Sequence, residues 1–124
     1  MSYSDEMKTE AKWAEIDLDA LSYNMKNIRE KVGADVQISA VVKANAYGHS
    51  AEDVIGTLKE AGADQFAVSS LDEALELRQY EPDRDILVLG NIPYGTEELS
   101  VAADLQHAVT SCEKARLLSD AAGR

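Results

Sequence analysis

Cysteine, proline and positive charge are scarce in this 124-residue sequence, and each shortage excludes a class of protein. The single cysteine, Cys112, excludes an intrachain disulfide framework and any cysteine-rich metal site. Only 12 Lys and Arg residues oppose 23 Asp and Glu residues, so the net charge is -11 and nothing favours binding to nucleic acid. Two prolines and seven glycines exclude collagen-like and linker-like compositions.

Long apolar runs are also missing. No run approaches the roughly 18 residues that cross a bilayer, and the N-terminus MSYSDEMKTEAK contains no apolar signal-peptide core. We therefore expect a cytoplasmic protein with no membrane partner. Residues 1–12 are expected to form a flexible N-terminus, followed by one partial domain over residues 13–124.

The sequence does contain an alternation of short apolar runs with longer segments of helical period. The runs are continuous and rich in β-branched residues, as in parallel strands that are buried on both faces. A helical segment follows each run, so the pattern predicts four βα units. The four predicted strands are residues 38–42, 66–68, 86–89 and 107–109.

An earlier segment has a different pattern. Apolar and acidic residues alternate from Ala14 to Leu18, which predicts an amphipathic strand outside the parallel sheet. Asp19 is predicted to cap the helix that follows, and Gly33 to end it. The acidic residues between positions 72 and 81 are predicted to form a solvated helix face. Further helix starts are predicted at Ser50, Ser70, Thr96 and Ser111, and helix ends at Gly62 and Pro82.

Successive βα units build either an open doubly wound sheet or a closed (β/α)₈ barrel. The sequence contains neither G-x-G-x-x-G nor G-x-x-x-x-G-K-[ST], so a nucleotide-binding open sheet is disfavoured. A barrel needs eight units and roughly 250 residues. Four units in 124 residues therefore predict the N-terminal half of a TIM-type barrel, preceded by the amphipathic strand and its helix. A truncated chain is expected, and a small open α/β sheet remains the alternative.

The candidate active site is the segment AVVKANAYGH, residues 40–49. Lys43 follows a predicted strand at its carboxyl end, where α/β folds place their catalytic groups. A lysine held against apolar walls loses solvation, and a neutral amine then becomes available for Schiff-base formation. The simpler alternative is a lysine that extends from the strand end into water.

The residues after Lys43 favour a lysine that forms a Schiff base over one that extends into water. Small side chains at positions 44, 46 and 48 let the backbone approach a bulky ligand closely. Tyr47 can donate its hydroxyl group to a phosphate, and the helix predicted after Ser50 points its N-terminal amides towards the same rim. An amine, a phosphate-binding rim and apolar walls together suit pyridoxal phosphate.

At this point the sequence resembles a known family. Residues 13–21 followed by residues 40–49 are similar to the start of alanine racemases, which are fold-type III pyridoxal-phosphate enzymes. Residues 61–64, 72–78 and 86–90 are also similar, in the same order and at similar spacing, so the resemblance covers about residues 13–105. Ser50 stands where glycine is common in the family.

The resemblance implies a homodimeric enzyme that interconverts L- and D-alanine for peptidoglycan synthesis. Lys43 would hold the cofactor through a Schiff base and serve as acid or base for one face of the substrate. Tyr47 matches a tyrosine that contacts the phosphate, and Val41 and Leu89 match apolar contacts to the ring. The rest of the barrel, the opposite-face base and the C-terminal β-domain lie beyond this chain in such enzymes, so the chain alone is expected to be inactive.

Other functions remain open at this stage. Another fold-type III protein, either an amino-acid decarboxylase or a pyridoxal-phosphate homeostasis protein, would also carry a lysine at a strand end. A half-barrel that binds no ligand is the non-enzymatic alternative. His49 could contact the cofactor region or bond to its own turn. His107 is expected to be structural, because no second metal ligand stands at a recognised spacing, and no metal site is predicted.

Overall fold

The computed structural model describes residues 12–123, and its centre is a four-stranded parallel sheet. The strands cross the sheet in chain order, β1-β2-β3-β4, without a reversal. This order is typical of a barrel segment, because a doubly wound sheet reverses direction at a switch point. The strands are β1 (Ser39–Val41), β2 (Gln65–Val68), β3 (Asp85–Val88) and β4 (Gln106–His107).

Six helices precede, connect and follow these strands. They are α1 (Leu18–Val32), α2 (Lys43–Tyr47), α3 (Ala51–Ala61), α4 (Leu71–Tyr80), α5 (Glu97–Ala102) and α6 (Cys112–Ala122). Helix α1 precedes β1, the pair α2 and α3 connects β1 to β2, and a single helix follows each later strand. The four predicted βα units are therefore confirmed. Within residues 12–123, no helix has the length and apolar character needed to span a membrane.

One face of the sheet forms the core together with the helices. Ala40, Phe66 and Ile86 pair across β1, β2 and β3, and none of them is more than 8% exposed. Leu58 of α3 and Leu77 of α4 are buried in the same cluster. The next residue of β1, Val41, points to the opposite face of the sheet and is 41% exposed. That face is therefore open to solvent at the β1 edge.

Four of the predicted helix boundaries are confirmed, two of them by side-chain hydrogen bonds. The hydroxyl of Ser70 accepts from the backbone N–H of Glu73 at 3.2 Å, and Ser111 caps α6 in the same way. Gly33 follows α1 with a φ of 85°, a conformation that favours glycine. Helix α4 likewise ends just before Pro82, as predicted.

The amphipathic strand predicted over Ala14 to Leu18 is not formed. Residues 12–17 have no regular secondary structure, and α1 already begins at Leu18. The N-cap is Asp17 rather than Asp19, because Asp17 Oδ1 accepts from the backbone N–H of Ala20 at 2.9 Å. Among the described residues the sheet consists of β1 to β4, so residues 14–16 have no neighbouring strand to pair with. The segment predicted to be flexible, residues 1–12, lies outside the described residues except for Lys12.

Two further predicted caps do not act through their side chains. Ser50 precedes α3, but its φ is 67° and its side chain makes no capping bond. The amide of Ala51 donates instead to Asn45 Oδ1 at 2.9 Å. The hydroxyl of Thr96 donates to the carbonyl oxygen of Pro93 at 2.6 Å, which fixes the preceding turn rather than α5.

Arginines at the ends of two helices fasten the loops at the opposite end of the sheet from residues 40–49. Arg29 of α1 donates to the carbonyl oxygens of Gly33, Val36 and Gly62 and forms an ion pair with Asp64. Arg78 of α4 donates to the carbonyl oxygens of Glu81, Arg84, Ala103 and Asp104. Each guanidinium satisfies several backbone acceptors, so this end of the sheet is rigidly held.

Candidate active site

The segment after β1 forms a left-handed turn. From Ala44 to Tyr47 every φ lies between 51° and 56°, although none of these residues is glycine. Such a conformation costs about 1–2 kcal/mol per residue, and strained backbone of this kind is concentrated at functional sites. The turn is closed internally by two bonds, from the amide of Ala46 to the carbonyl of Val42 and from the amide of Gly48 to that of Ala44.

Side chains on both sides stabilise this turn. Asn45 accepts from the first amide of α3, which links the turn to the following helix. His49 Nδ1 lies 3.0 Å from the carbonyl oxygen of Ala46. Of the two roles considered for His49, the structure thus supports the bond to its own turn. Gly48 ends the turn with a φ of 85°, which is the position where the absence of a side chain is needed.

The turn brings the predicted amine and the predicted phenol together. Lys43 Nζ lies 6.0 Å from the centroid of the Tyr47 ring. Lys43 is half-buried, whereas Tyr47 is 59% exposed. Both side chains therefore stand at the rim formed by the carboxyl end of β1, with the tyrosine open to a ligand.

Val41 and Leu89, the predicted apolar contacts, lie at the same end of the sheet. Val41 ends β1 and is 41% exposed, and Leu89 follows β3 and is 44% exposed. The backbone of Leu89 still belongs to the ladder, because its amide donates to the carbonyl oxygen of Val68 at 2.8 Å. With β2 between them, the two strands that carry Val41 and Leu89 are roughly 10 Å apart. The structure thus gathers all four predicted site residues at one rim, although Val41 and Leu89 flank β2 rather than touch each other.

Glu73 has a role at this rim that its sequence position did not reveal. Glu73 Oε2 accepts from the backbone N–H of Ala44 at 2.6 Å, and Oε1 accepts from the N–H of Ser69 at 3.2 Å and from the Ser69 hydroxyl. Burial tends to raise the pKa of Glu73, but the hydrogen bonds from Ser69 and Ala44 together lower it below the ordinary 4.5. The sequence signal was the spacing from Ser70, which identified a helix start but not the contact with Ala44.

A buried carboxylate lies at the end of the acidic helix α4, within the segment where a solvated face was predicted. Glu81, directly after α4, is 1% exposed. Its carboxylate pairs with Lys59 of α3 at 2.8 Å and accepts from the amides of Asp83 and Arg84. The predicted solvated face is therefore wrong at Glu81, whereas Asp72 and Glu76 are exposed as predicted and Glu73 is half-buried.

An apolar cleft lies beside the outer edge of β1. It encloses about 720 Å³ between α1, β1 and α3, and its lining is mainly apolar. Val41 and Tyr47 contribute to this lining, whereas Lys43 does not. The cleft thus adjoins the rim without being the lysine's own surroundings.

His107 has the structural role predicted for it. Its Nε2 lies 2.5 Å from the Ser100 hydroxyl, which ties β4 to α5. Burial, helped by the nearby charge of Lys114, lowers the pKa of His107 below 6.5. The neutral imidazole is therefore favoured at neutral pH, as a buried structural histidine requires.

Comparison with known proteins identifies the family. The family model described as "Alanine racemase, N-terminal domain" matches residues 16–124. The alanine racemase of Clostridium perfringens is 46% identical over 108 residues, which cover 87% of this chain and 28% of that protein. The alanine racemase of Geobacillus kaustophilus is 49% identical over 98 residues, which cover 79% of this chain and 25% of that protein.

Solved structures agree with this assignment. An alanine racemase from Clostridium difficile 630 matches with a TM-score of 0.86 and 37% identity, covering 93% of this chain and 30% of that one. The alanine racemase from Bacillus anthracis with bound L-Ala-P matches with a TM-score of 0.79 and 42% identity, covering 87% of this chain and 29% of that one. This chain spans less than a third of the length of each relative. It belongs to the alanine racemase N-terminal domain family, and its sheet corresponds to the N-terminal half of the family's barrel.

Proposed function

We propose that this chain is the lysine-bearing part of a pyridoxal-phosphate-dependent alanine racemase. The observation that carries the proposal is the placement of Lys43 beside Tyr47, at the carboxyl end of β1, in a chain of this family. The relatives and solved structures described above are named alanine racemases, which favours this function over a decarboxylase or a homeostasis protein.

The residues at the rim fit the chemical groups of pyridoxal phosphate. Lys43 supplies a primary amine, which is the group that reacts with the cofactor's aldehyde. Tyr47 supplies an exposed hydroxyl that can donate to a phosphate oxygen. Val41 and Leu89 supply exposed apolar surface at the same end of the sheet, which suits an aromatic ring.

Lys43 then has two tasks in the proposed reaction. Its Nζ would hold the cofactor covalently at the aldehyde carbon, with loss of the aldehyde oxygen as water. When bound, pyridoxal phosphate withdraws electrons from the substrate and so acidifies its Cα–H. When it is not bonded to the cofactor, the neutral Nζ of Lys43 would accept the Cα proton on its own side of the substrate or return it.

The left-handed turn positions these groups. Tyr47 follows Lys43 by four residues, and the turn between them keeps the phenol on the same rim as the amine. A phosphate held by Tyr47 would fix one end of the cofactor while Lys43 holds the other. Two points of attachment on one short rigid segment define the ring's direction.

The remaining features belong to the longer enzyme and are part of the proposal. Racemisation needs a second proton-transfer group on the opposite face of the substrate, and we place it in the part of the relatives that this chain does not span. We further propose that the whole enzyme is a cytoplasmic homodimer that supplies D-alanine for peptidoglycan synthesis. Residues 13–124 would form the first part of its barrel domain.

Chiral chromatography of L-alanine incubated with pyridoxal phosphate tests this function. The full-length enzyme that contains this segment should form D-alanine, and Lys43→Ala should reduce the rate by about 10²–10⁴-fold or more, the usual worth of a general acid–base group. The exposed Lys31→Ala is the matched control and should keep the activity. The 124-residue chain alone should form no D-alanine at enzymatic rates. Unchanged activity in Lys43→Ala would contradict the proposal.

A further inference from the structure

The left-handed turn after β1 requires support from outside itself. Four consecutive residues, 44–47, adopt positive φ without a glycine among them. Each is strained relative to the ordinary right-handed conformation. A segment of this kind persists only when its surroundings determine its conformation. The contacts that reach the turn from other elements are therefore the ones that hold Lys43 in place.

Glu73 provides such a contact from the neighbouring βα unit. One carboxylate oxygen accepts from the amide of Ala44 at 2.6 Å, and the other accepts from Ser69 at the end of β2. The carboxylate thus bridges the carboxyl ends of two adjacent parallel strands. Hydrogen bonds to a charged acceptor are the stronger kind, so this bridge is well suited to hold strained backbone.

The direction of these bonds differs from that of an ordinary helix cap. In a capping box the glutamate at the third helical position bonds back to the amide of the N-cap residue, here Ser70. Glu73 occupies that position, yet it accepts from the amides of Ser69 and Ala44 instead. The helix start is already stabilised by the Ser70 hydroxyl, which leaves the Glu73 carboxylate available to the turn.

We propose that Glu73 is a positioning residue that directs Lys43 by holding the amide of Ala44. The peptide plane between Lys43 and Ala44 contains that amide, so fixing its direction fixes ψ of Lys43 and hence the course of the lysine side chain. Glu73 acts through the backbone and is assigned no contact with cofactor or substrate. The inference rests on the proposed function, because it concerns the lysine that would bind the cofactor.

A first measurement requires no cofactor. Amide hydrogen exchange of Ala44 should be about tenfold faster or more in Glu73→Ala, since the loss of a bond to a charged acceptor has about this worth. Glu73→Gln keeps one acceptor oxygen and should show a smaller increase, and it serves as the second variant if Glu73→Ala does not fold. Asp72→Ala is the matched control, because it removes an exposed carboxylate from the same first turn of α4 and should leave Ala44 unchanged.

A second measurement follows Lys43 directly. The full-length enzyme that contains this segment is incubated with pyridoxal phosphate for varied times, reduced with borohydride and digested, and the fraction of Lys43 that carries the cofactor is measured. Glu73→Ala should slow this modification about tenfold, Glu73→Gln less, and Asp72→Ala not at all. An effect that came only from removing a negative charge from the first turn of α4 would be reproduced by Asp72→Ala.

The outcomes separate this inference from the function on which it rests. Ala44 exchange that is unchanged in both Glu73 variants overturns the positioning role. A modification rate at Lys43 equal to that of the wild type also overturns it. Absence of any modification of Lys43 in the wild-type full-length enzyme would instead contradict the proposed function, and Ala44 exchange would still respond to Glu73 in that case.

Discussion

At the scale of single residues, the site depends on the pairing of one amine with one phenol. Lys43 and Tyr47 are four positions apart, and an extended chain would separate them by more than 10 Å. The left-handed turn brings the lysine nitrogen to 6.0 Å from the tyrosine ring. The tyrosine hydroxyl is the only part of its side chain that can hydrogen-bond, so its contribution can be tested without disturbing the packing of the ring.

Tyr47→Phe should weaken retention of pyridoxal phosphate by about tenfold or more. The substitution removes one hydrogen bond to a charged phosphate, worth about 1.5–3 kcal/mol, and keeps the aromatic ring. Cofactor affinity of the full-length enzyme, measured by dialysis against decreasing pyridoxal phosphate, gives the comparison. Tyr23→Phe, at a position that is 67% exposed on α1, is the control. Equal affinity of wild type and Tyr47→Phe would exclude Tyr47 from the phosphate site.

At the scale of elements, helices α3 and α4 are joined by a charged contact as well as by apolar packing. The Lys59 ammonium of α3 lies 2.8 Å from the carboxylate of Glu81, the residue that ends α4. Burial tends to raise the pKa of Glu81, but Lys59 and the amides of Arg84 and Asp83 lower it below the ordinary 4.5. The folded state therefore binds the Glu81 proton less tightly than the unfolded chain does.

This difference predicts how stability depends on pH. Because the folded pKa of Glu81 is depressed, its contribution to the free energy of unfolding is complete above about pH 4.5 and is lost as the pH falls through the lower folded value. Urea unfolding at several pH values should show Glu81→Gln less stable than wild type at neutral pH, with a gap that narrows in acid. Glu60→Gln, at an exposed position of α3, should show no such gap. A gap that widens in acid would contradict the assignment.

Most of the strands and helix ends could be predicted from the sequence, and one predicted strand could not be confirmed. Strands β1 to β4 and the ends of α1 and α4 follow from local apolar runs and capping residues, and these predictions are confirmed. The prediction of a strand over residues 14–18 was wrong, because an alternation of apolar and acidic residues does not by itself supply a neighbouring strand to pair with. Asp17 and Asp19 are both suitable caps, and only the three-dimensional path of the chain selects Asp17.

The residues of the active-site rim could be predicted from the sequence, but their backbone conformation could not. Lys43 and Tyr47 could be proposed from the strand end and from the resemblance of the motif. The left-handed conformation of residues 44–47 contradicts the preferences of Ala and Tyr, and it depends on contacts with other elements. For the same reason the contact between Glu73 and Ala44 could not be found, since the two residues are 29 positions apart and meet only because β1 and β2 pair in register.

At the scale of the whole molecule, residues 12–123 form a sheet of four parallel strands. Helices pack on one face of the sheet, and the candidate site lies at one end of it. It spans about 28% of the relative from Clostridium perfringens. The site it contains is accordingly one side of the proposed catalytic centre: a lysine, a tyrosine and apolar surface, held by a strained turn. Within this site, Lys43 is the residue that we propose binds the cofactor.

Identification of the modified lysine tests that claim most directly. Full-length enzyme loaded with pyridoxal phosphate is reduced with borohydride, digested and mapped by mass spectrometry. We expect the phosphopyridoxyl group on Lys43, in the peptide that contains residues 40–49, and its loss from that peptide in Lys43→Ala. A phosphopyridoxyl group on Lys31 or Lys59 with Lys43 unmodified would exclude Lys43 as the cofactor-binding residue.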